Sequence, residues 1–312
     1  MQTPLSAALP VDFKDVTIAI VGGDRREQEI ARRAAISGAT VRAFGFAWPE
    51  EGIAGVERSA DARAALSGAH FGLFPIPGSA ADGALFAPAL KEKIIVDAEL
   101  LGHMASRAHI LLGIANEQIE QAAAAAHVTL HEYDSDVRLM LLRAPAIVEG
   151  VVKVLIENTD FTIQRAEIGV VGQGTIGAIL TRMLVLLGGR VNVFARNPIQ
   201  RAAATAIGAT TWQLDALDER APTLDILISS VPVRVVNQKI LERVSRKALI
   251  VDIAAPPGGV DLAAASALGL RAVWARGLGS RAPISVGASQ WIGIEERIQE
   301  ILAGSASPMK RS

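Results

Sequence analysis

One glycine-rich segment constrains the fold of this chain more than any other feature. It reads Gly172-Gln-Gly-Thr-Ile-Gly177, follows the apolar run 168–171 and precedes an apolar segment long enough for a helix. Residues 190–194 then have the composition of a second strand. A glycine loop between a strand and a helix lets the backbone approach a pyrophosphate, and the free N–H groups at the helix start face the phosphates. The segment therefore predicts a dinucleotide-binding βαβ unit.

The residues after the second strand indicate which dinucleotide is bound. An acidic residue there accepts a hydrogen bond from the ribose 2′-hydroxyl of NAD, whereas an arginine can pair with the 2′-phosphate of NADP. This chain has Arg196 and Asn197 at that position and Arg201 one helical turn further on, with no carboxylate nearby. We therefore expect NADP, the alternative being that Arg196 is an ordinary solvated cation. The expected cofactor-binding residues are Gly172, Gly174, Thr175, Ile176, Gly177, Arg196, Asn197, Arg201, Val231 and Pro232.

Length and composition fit two α/β domains. The chain has 312 residues, 50% hydrophobic residues and 28 glycines, which suits compact layers with many turns between strands and helices. A net charge of -1 gives no general attraction to nucleic acid or membranes. The absence of cysteine excludes disulfides and thiolate chemistry and agrees with a cytoplasmic location. We expect neither a secretory signal nor a membrane span, since no apolar run approaches the ~20 residues that a span needs.

Short apolar runs alternate with helix-like segments along the chain. This alternation predicts an α/β fold with two doubly wound parallel-sheet domains, the second a Rossmann dinucleotide-binding domain, joined by a long helix. We expect a flavodoxin-like domain on the substrate side over 1–143, the NADP-binding domain over 144–285, and over 286–312 a C-terminal helix that packs back on the first domain, followed by a tail. The predicted strands are 16–21, 40–44, 71–75, 94–96, 109–113, 128–132, 168–171, 190–194, 210–213, 225–230, 248–253 and 271–274.

The first βαβ unit is a degenerate copy of the dinucleotide motif. Its strand ends in Gly22-Gly23-Asp24 rather than in GxGxxG, so we expect a different ligand there or none. Asp24 is a good N-cap for a helix that ends before Gly38. The four arginines of this helix are expected on a solvated face; they are Arg25, Arg26, Arg32 and Arg33.

Two further segments supply candidate substrate residues. The loop Pro75–Gly83 leaves the carboxyl end of a predicted strand, where open α/β sheets bind ligands, and contains Ser79 and Asp82. A simple proline and glycine turn explains this loop equally well. Residues 145–162 predict a connecting helix with Pro145 in its first turn. Glu149 near its start is a candidate for the cleft between domains or, equally, a surface acid favoured by the helix dipole.

The histidines argue against alcohol oxidation. All five precede the glycine loop, whereas 2-hydroxyacid dehydrogenases of this two-domain shape use a histidine late in the cofactor domain as proton shuttle. His127 and His131 are four residues apart but lie in strand-like sequence, so no metal site is predicted. We expect ordinary surface or strand histidines at His70, His103, His109, His127 and His131.

Longer segments carry a more specific pattern. They are Ile20-Val-Gly-Gly-Asp-Arg25, Pro145-Ala-Ile-Val-Glu-Gly150, Asn158-Thr-Asp-Phe-Thr-Ile163, Asp225-Ile-Leu-Ile-Ser-Ser-Val-Pro232 and Leu249-Ile-Val-Asp-Ile-Ala-Ala-Pro-Pro-Gly-Gly259. In these segments, and over nearly its whole length, the chain resembles the family formed by the A subunit of dipicolinate synthase. The resemblance implies NADP-dependent oxidation of a dihydrodipicolinate-type intermediate of the lysine branch to dipicolinate, in sporulation, together with a flavoprotein-like second subunit in a heteromeric complex. A homo-oligomer is expected as well.

This chemistry sets the residue types that the site needs. Ring aromatisation needs a hydride acceptor and a weak base, and a small anionic dicarboxylate substrate needs cations or N–H donors. Two alternatives stay open, an NADP-dependent amino-acid or 2-hydroxyacid dehydrogenase relative and a non-catalytic NADP-sensing subunit. The candidate catalytic residues are Glu149 as proton acceptor, together with Ser79, Asp82, Arg234, Arg281 and Ser285.

Overall fold

The computed structural model describes residues 12–79, 82–133 and 136–304. Ala80 and Ala81 of the predicted ligand loop lie outside the described residues. The chain divides into two compact units. Unit 1 contains the residues up to Leu142 and those from Ala282 on, and unit 2 contains Arg143–Arg281.

Strands and helices alternate throughout. In unit 1 the elements are β1 (Thr17–Val21), α1 (Arg25–Ile36), β2 (Thr40–Phe44), β3 (Val56–Arg58), α2 (Ala62–Leu66), β4 (Phe71–Leu73), α3 (Ala98–Leu101), β5 (His109–Leu112), α4 (Glu117–Ala125) and β6 (Thr129–Glu132). Helix α5 (Val137–Glu157) leads into unit 2, with β7 (Glu167–Val171), α6 (Thr175–Leu186), β8 (Arg190–Phe194), α7 (Pro198–Ala206), β9 (Thr210–Trp212), α8 (Leu217–Arg220), β10 (Ile226–Ser229), α9 (Gln238–Leu241), β11 (Leu249–Asp252), α10 (Leu262–Ala267) and β12 (Arg271–Trp274). Helix α11 (Pro283–Leu302) belongs to unit 1.

Each unit is built on one six-stranded parallel sheet. The strand orders are β3-β2-β1-β4-β5-β6 and β12-β11-β10-β7-β8-β9, and every pair of neighbouring strands is parallel. In unit 2, alternate residues of one strand enter two different cores, since Ile226 and Ile228 join one cluster and Leu227 joins the other. Burial on both faces explains why these strands read as continuous apolar runs. The predicted α/β fold with two doubly wound sheets and a long linking helix is confirmed.

The description of unit 1 as flavodoxin-like is wrong in its strand order. A flavodoxin-like sheet has the order 2-1-3-4-5, whereas both sheets here have the dinucleotide-binding order 3-2-1-4-5-6. The difference arises from β3, a three-residue edge strand with the sequence Val-Glu-Arg. Two charged residues in three leave no apolar run from which a strand could be predicted.

Three other local predictions are also corrected. Residues 94–96 form no strand; Ile94 and Val96 are apolar because they are buried in the core of unit 1, and Ile95 makes only an isolated bridge to Ala84. Helix α5 begins at Val137, so Pro145 lies inside it rather than in its first turn. Arg26 is not on a solvated face, since it is buried and its guanidinium donates to both carboxylate oxygens of Asp24, at 2.8 and 2.9 Å.

No helix within the described ranges combines the length and the hydropathy that crossing a bilayer requires.

Two histidines of neighbouring strands form a buried pair. Nδ1 of His109 lies 3.1 Å from Nε2 of His131, and only 4% of His131 is exposed. Burial lowers the pKa of His131 from 6.5 to about 4, and the nearby charges of His109 and Arg297 act in the same direction. His131 is therefore neutral in the folded protein at neutral pH.

We expect this pair to make stability depend on pH. Because the pKa of His131 is lower in the folded state, the unfolded chain binds a proton that the folded chain excludes, so the stabilisation is full above pH 6.5 and is lost as the pH falls towards about 4. Urea unfolding over this range should show a shallower pH slope for His131→Gln than for the wild type. His127→Asn, at an exposed position, is the control and should keep the wild-type slope. Parallel slopes for all three proteins would contradict the assignment.

Candidate functional site

The glycine loop of unit 2 lies at the point where the strand order changes direction. β7 is hydrogen-bonded to β8 on one side and to β10 on the other, and the loop leaves its carboxyl end. In open α/β sheets this switch point is where ligands bind.

Two of the three glycines are required by close packing inside the protein. Gly172 has a φ of +93°, and a Cβ added to it would lie 2.5 Å from Cγ1 of Val231. A Cβ on Gly177 would lie 2.3 Å from the carbonyl oxygen of Gly172. These distances are below any real Cβ contact, so the first glycine permits the turn and the third lets α6 start directly against the loop.

Gly174 differs because nothing in the protein fills the space beside it. It is the N-cap of α6 with no side chain to accept a hydrogen bond, and an added Cβ would meet no atom within 4 Å. The first-turn N–H groups of Thr175, Ile176 and Gly177 therefore lack a side-chain cap. An open helix start with free donors is a suitable cradle for a pyrophosphate.

The equivalent loop of unit 1 is closed by the protein itself. Gly22 N–H donates to the Phe44 carbonyl at 2.8 Å and Gly23 N–H donates to the Phe86 carbonyl at 2.6 Å. Asp24 N–H donates to Oε2 of Glu27 at 2.7 Å, which completes a capping box at the start of α1. Burial raises the pKa of the Glu27 carboxyl. The donors that would bind a phosphate in this degenerate copy are thus already used.

The residues after β8 separate into supporting residues and an exposed cation. Asn197 caps α7 by accepting from Ile199 N–H at 2.8 Å, and Nη1 of Arg201 donates to the carbonyl oxygens of Ala195 and Arg196, both at 2.7 Å. These contacts fix the shape of the loop. The Arg196 side chain is exposed, and within the described residues its guanidinium has no hydrogen-bond partner.

The loop after β10 covers the other side of the glycine loop. Val231 is half-buried against Gly172, whereas Pro232 is exposed. Ser230, which the sequence did not single out, donates from Oγ to the carbonyl oxygens of Val171 and Gly172, at 3.0 and 3.3 Å. Arg234 lies 3.8 Å from a carboxylate oxygen of Asp261, a separation too long to fix its side chain.

Two candidate substrate residues of unit 2 contact each other. The Arg281 guanidinium forms an ion pair with the Glu149 carboxylate, although 132 positions separate them in the sequence. Gly150 makes this approach feasible, since a Cβ there would lie 3.0 Å from both Cβ and the carbonyl oxygen of Leu278. Helix α5 therefore packs tightly on the turn Leu278–Arg281.

The candidates in unit 1 have different environments. Asp82 is bound to Nζ of Lys93 at 2.6 Å, and this ammonium group lowers the pKa of the Asp82 carboxyl. Ser79 pairs with Leu85 through a backbone bridge, and its Oγ is buried without a hydrogen-bond partner among the described residues. Ser285 is exposed in the first turn of α11.

Within 12–79, 82–133 and 136–304, no three His, Asp or Glu side chains are grouped in a way that would hold a metal ion.

Strand order, open glycine loop and uncapped helix together define unit 2 as a dinucleotide-binding domain of the dehydrogenase type. Sequence comparison agrees, because residues 155–266 match the family described as shikimate / quinate 5-dehydrogenase. Residues 17–133 match a different family, the N-terminal domain of the A subunit of dipicolinate synthase.

Comparison with whole proteins extends this match. The chain is 30% identical to the A subunit of dipicolinate synthase from Bacillus subtilis (strain 168) over 274 residues, which cover 86% of this chain and 91% of that protein. The chain therefore belongs to the family of dipicolinate synthase A subunits. The crystal structure of the Bacillus subtilis protein is similar to it with a TM-score of 0.84 at 27% identity, covering 94% of this chain and 99% of that one. The Bacillus halodurans structure gives 0.85 at 24% identity, covering 91% and 98%.

The three glycines should respond differently to alanine. Gly174→Ala places a methyl group in open space at a φ of −73°, so we expect the free energy of unfolding to fall by no more than about 1 kcal/mol. The same methyl group occupies the space that a pyrophosphate needs, so affinity for NADPH and NADH should fall at least about tenfold. Titration by nicotinamide fluorescence measures this.

Gly177→Ala is the matched control. Its methyl group meets the Gly172 carbonyl, so it should lower the free energy of unfolding by about 1–3 kcal/mol. Unchanged dinucleotide binding by Gly174→Ala would show that the open helix start is not the phosphate site.

Proposed function

We propose that this protein is an NADP-dependent oxidoreductase of the dipicolinate synthase type, which oxidises a dihydrodipicolinate-type intermediate of the lysine branch to dipicolinate. The observation that carries the proposal is the sequence relationship to the Bacillus subtilis dipicolinate synthase protein, which extends through both units rather than through the dinucleotide domain alone. Because that relative is named as one subunit, the proposal includes a partner, a second subunit of flavoprotein-like type.

The choice of NADP is supported by the end of β8. NADP carries a 2′-phosphate that its NAD counterpart lacks, and an exposed arginine binds phosphate through short, charge-assisted hydrogen bonds. Arg196 is that arginine in our proposal, while Asn197 and Arg201 hold its loop in place. The donors at Gly172–Gly177 would hold the pyrophosphate between the loops after β7 and β10. When bound, the nicotinamide supplies the hydride acceptor of the reaction.

The ion pair of unit 2 suggests how the substrate engages the site. Conversion of the dihydro ring to the aromatic ring removes one hydride and one proton, and Glu149 is our candidate for the proton. Its carboxylate is held by Arg281 in the free protein. A substrate carboxylate that binds Arg281 would compete with Glu149 and leave it available as a base. Arg234, only weakly engaged by Asp261, is the second proposed carboxylate ligand.

In unit 1 we propose Ser79 and Ser285 as hydrogen-bond donors to the substrate. Asp82 is itself an anion and would repel a dicarboxylate. Its proposed contribution is therefore indirect, through the Lys93 ammonium that it holds at 2.6 Å.

A second candidate function is a non-catalytic NADP-sensing subunit. Its support is that Glu149 is already paired and that unit 2 contains no histidine to serve instead. The same absence disfavours a 2-hydroxyacid dehydrogenase relative.

An assay of NADPH formation from freshly generated dihydrodipicolinate, with and without the second subunit, separates these functions. Turnover by the chain alone, or only with its partner, supports the oxidoreductase. Stoichiometric NADPH binding without turnover in either case would overturn the proposal in favour of the sensing subunit.

In the same assay we expect Glu149→Gln to lower kcat by about 100-fold or more, the typical contribution of a general base. Glu157→Gln is the matched control, because Glu157 lies on the same helix and pairs with Lys153 at 3.5 Å. It should leave kcat unchanged. Equal effects of the two substitutions would exclude Glu149 as the base.

We expect Arg196→Ala to weaken NADPH binding by about 1–3 kcal/mol and NADH binding hardly at all, because only NADPH loses charge-assisted hydrogen bonds. Isothermal titration of both cofactors measures the difference. Arg190→Ala removes a cation from the opposite end of the same strand and serves as the control. Wild-type protein that binds the two cofactors equally would rule out the NADP assignment.

A further inference from the structure

A wholly buried carboxylate organises the loop that follows β11. Asp252 is 0% exposed and is the last residue of the strand. Its Oδ1 accepts from Ala254 N–H at 3.0 Å, while Oδ2 accepts from Gly259 N–H at 2.7 Å and from Val260 N–H at 3.0 Å. The loop Ala254–Gly259 therefore closes around one side chain. Hydrogen bonds to an ionised acceptor are among the strongest that a protein makes.

This loop packs directly on the loop after β10. A Cβ on Gly259 would lie 2.1 Å from Oγ of Ser229 and 2.5 Å from the carbonyl oxygen of Val231. Val231 in turn covers Gly172, where a Cβ would lie 2.5 Å from its Cγ1. A continuous series of close contacts thus joins Asp252 to the first glycine of the dinucleotide loop.

The topology of the sheet indicates which part of a dinucleotide the Asp252 loop would face. The fold consists of two mononucleotide-binding halves related across the switch point. In unit 2, β7, β8 and β9 form one half, and β10, β11 and β12 form the other. Arg196 at the end of β8 marks the first half as the adenosine side, because the 2′-phosphate belongs to the adenosine ribose. The nicotinamide half then falls at the ends of β10, β11 and β12, where the Asp252 loop lies.

We propose that Asp252 is a positioning residue for the nicotinamide half of the cofactor. It acts through the Ala254–Gly259 loop and Val231 and needs no contact with the cofactor itself. This inference rests on the proposed function, since it takes a nicotinamide dinucleotide as the ligand of unit 2. Trp274 at the end of β12 holds the same loop from its other side, because its Nε1–H donates to the Ala254 carbonyl at 3.1 Å.

Asparagine at position 252 would break this arrangement while keeping the shape of the side chain. One of its two terminal atoms is an NH₂ group, which cannot accept a hydrogen bond and would face a backbone N–H donor. A buried donor without an acceptor is destabilising, so the loop would move away from the substituted side chain.

The test compares two ligands on the full-length protein by isothermal titration, NADPH and adenosine 2′,5′-bisphosphate, the latter representing the adenosine half alone. We expect Asp252→Asn to weaken NADPH at least about tenfold and to change the bisphosphate by no more than about twofold. Trp274→Phe should weaken NADPH in the same selective way but by less. Asp225→Asn is the control, because Asp225 accepts from Glu167 N–H at 2.8 Å at the amino end of the sheet. Both affinities should stay at the wild-type value.

Each other outcome overturns the inference. An equal loss for both ligands would show a general structural role, and unchanged NADPH binding would show none. Wild-type protein that binds neither ligand would overturn the proposed function together with this inference, whereas failure of the variants alone leaves the function standing. Should circular dichroism show that Asp252→Asn does not fold, selective weakening by Trp274→Phe decides for the inference and its absence decides against it.

Discussion

Backbone N–H groups that leave a central strand must find an acceptor, and this requirement separates the two units of the protein. Both sheets have the same strand order, and both first strands end in glycines. In unit 1 the donors bond to Phe44, Phe86 and Glu27, so the loop is complete without a ligand. In unit 2 the helix after the loop starts at a glycine that provides no cap. One fold thus serves as a closed scaffold in one copy and as an open anion site in the other.

The same accounting explains the polar residues that lie at the ends of β10 and β11. Ser230 and Asp252 are not exposed for catalysis; both bond to backbone groups of the loops around them. Their contacts hold three consecutive loops at fixed separations, which a binding crevice needs if hydride transfer is to occur at one defined distance. Rigid loops on a parallel sheet and a paired Glu149 and Arg281 together make unit 2 well ordered before any ligand arrives.

The sequence predicted those elements whose signal is local. The strands of unit 2 are continuous apolar runs because both faces are buried, and the glycine loop is recognisable because its spacing follows from backbone geometry. Edge strand β3 has no such signal, and the buried loop residues Ile94 and Val96 gave a false one. The roles of Asp252 and Ser230, and the contact between Glu149 and Arg281, depend on partners distant along the chain, which periodicity cannot reveal.

The uncapped start of α6 also has a consequence for the lifetime of the protein. A missing N-cap side chain forgoes about 1 kcal/mol of helix stability, and an anion at that position restores it. Since a ligand that binds only the folded state stabilises it in proportion to the logarithm of its concentration, the folded fraction would rise with the supply of dinucleotide. The loop that binds the cofactor would then also link the abundance of the protein to the size of the cofactor pool.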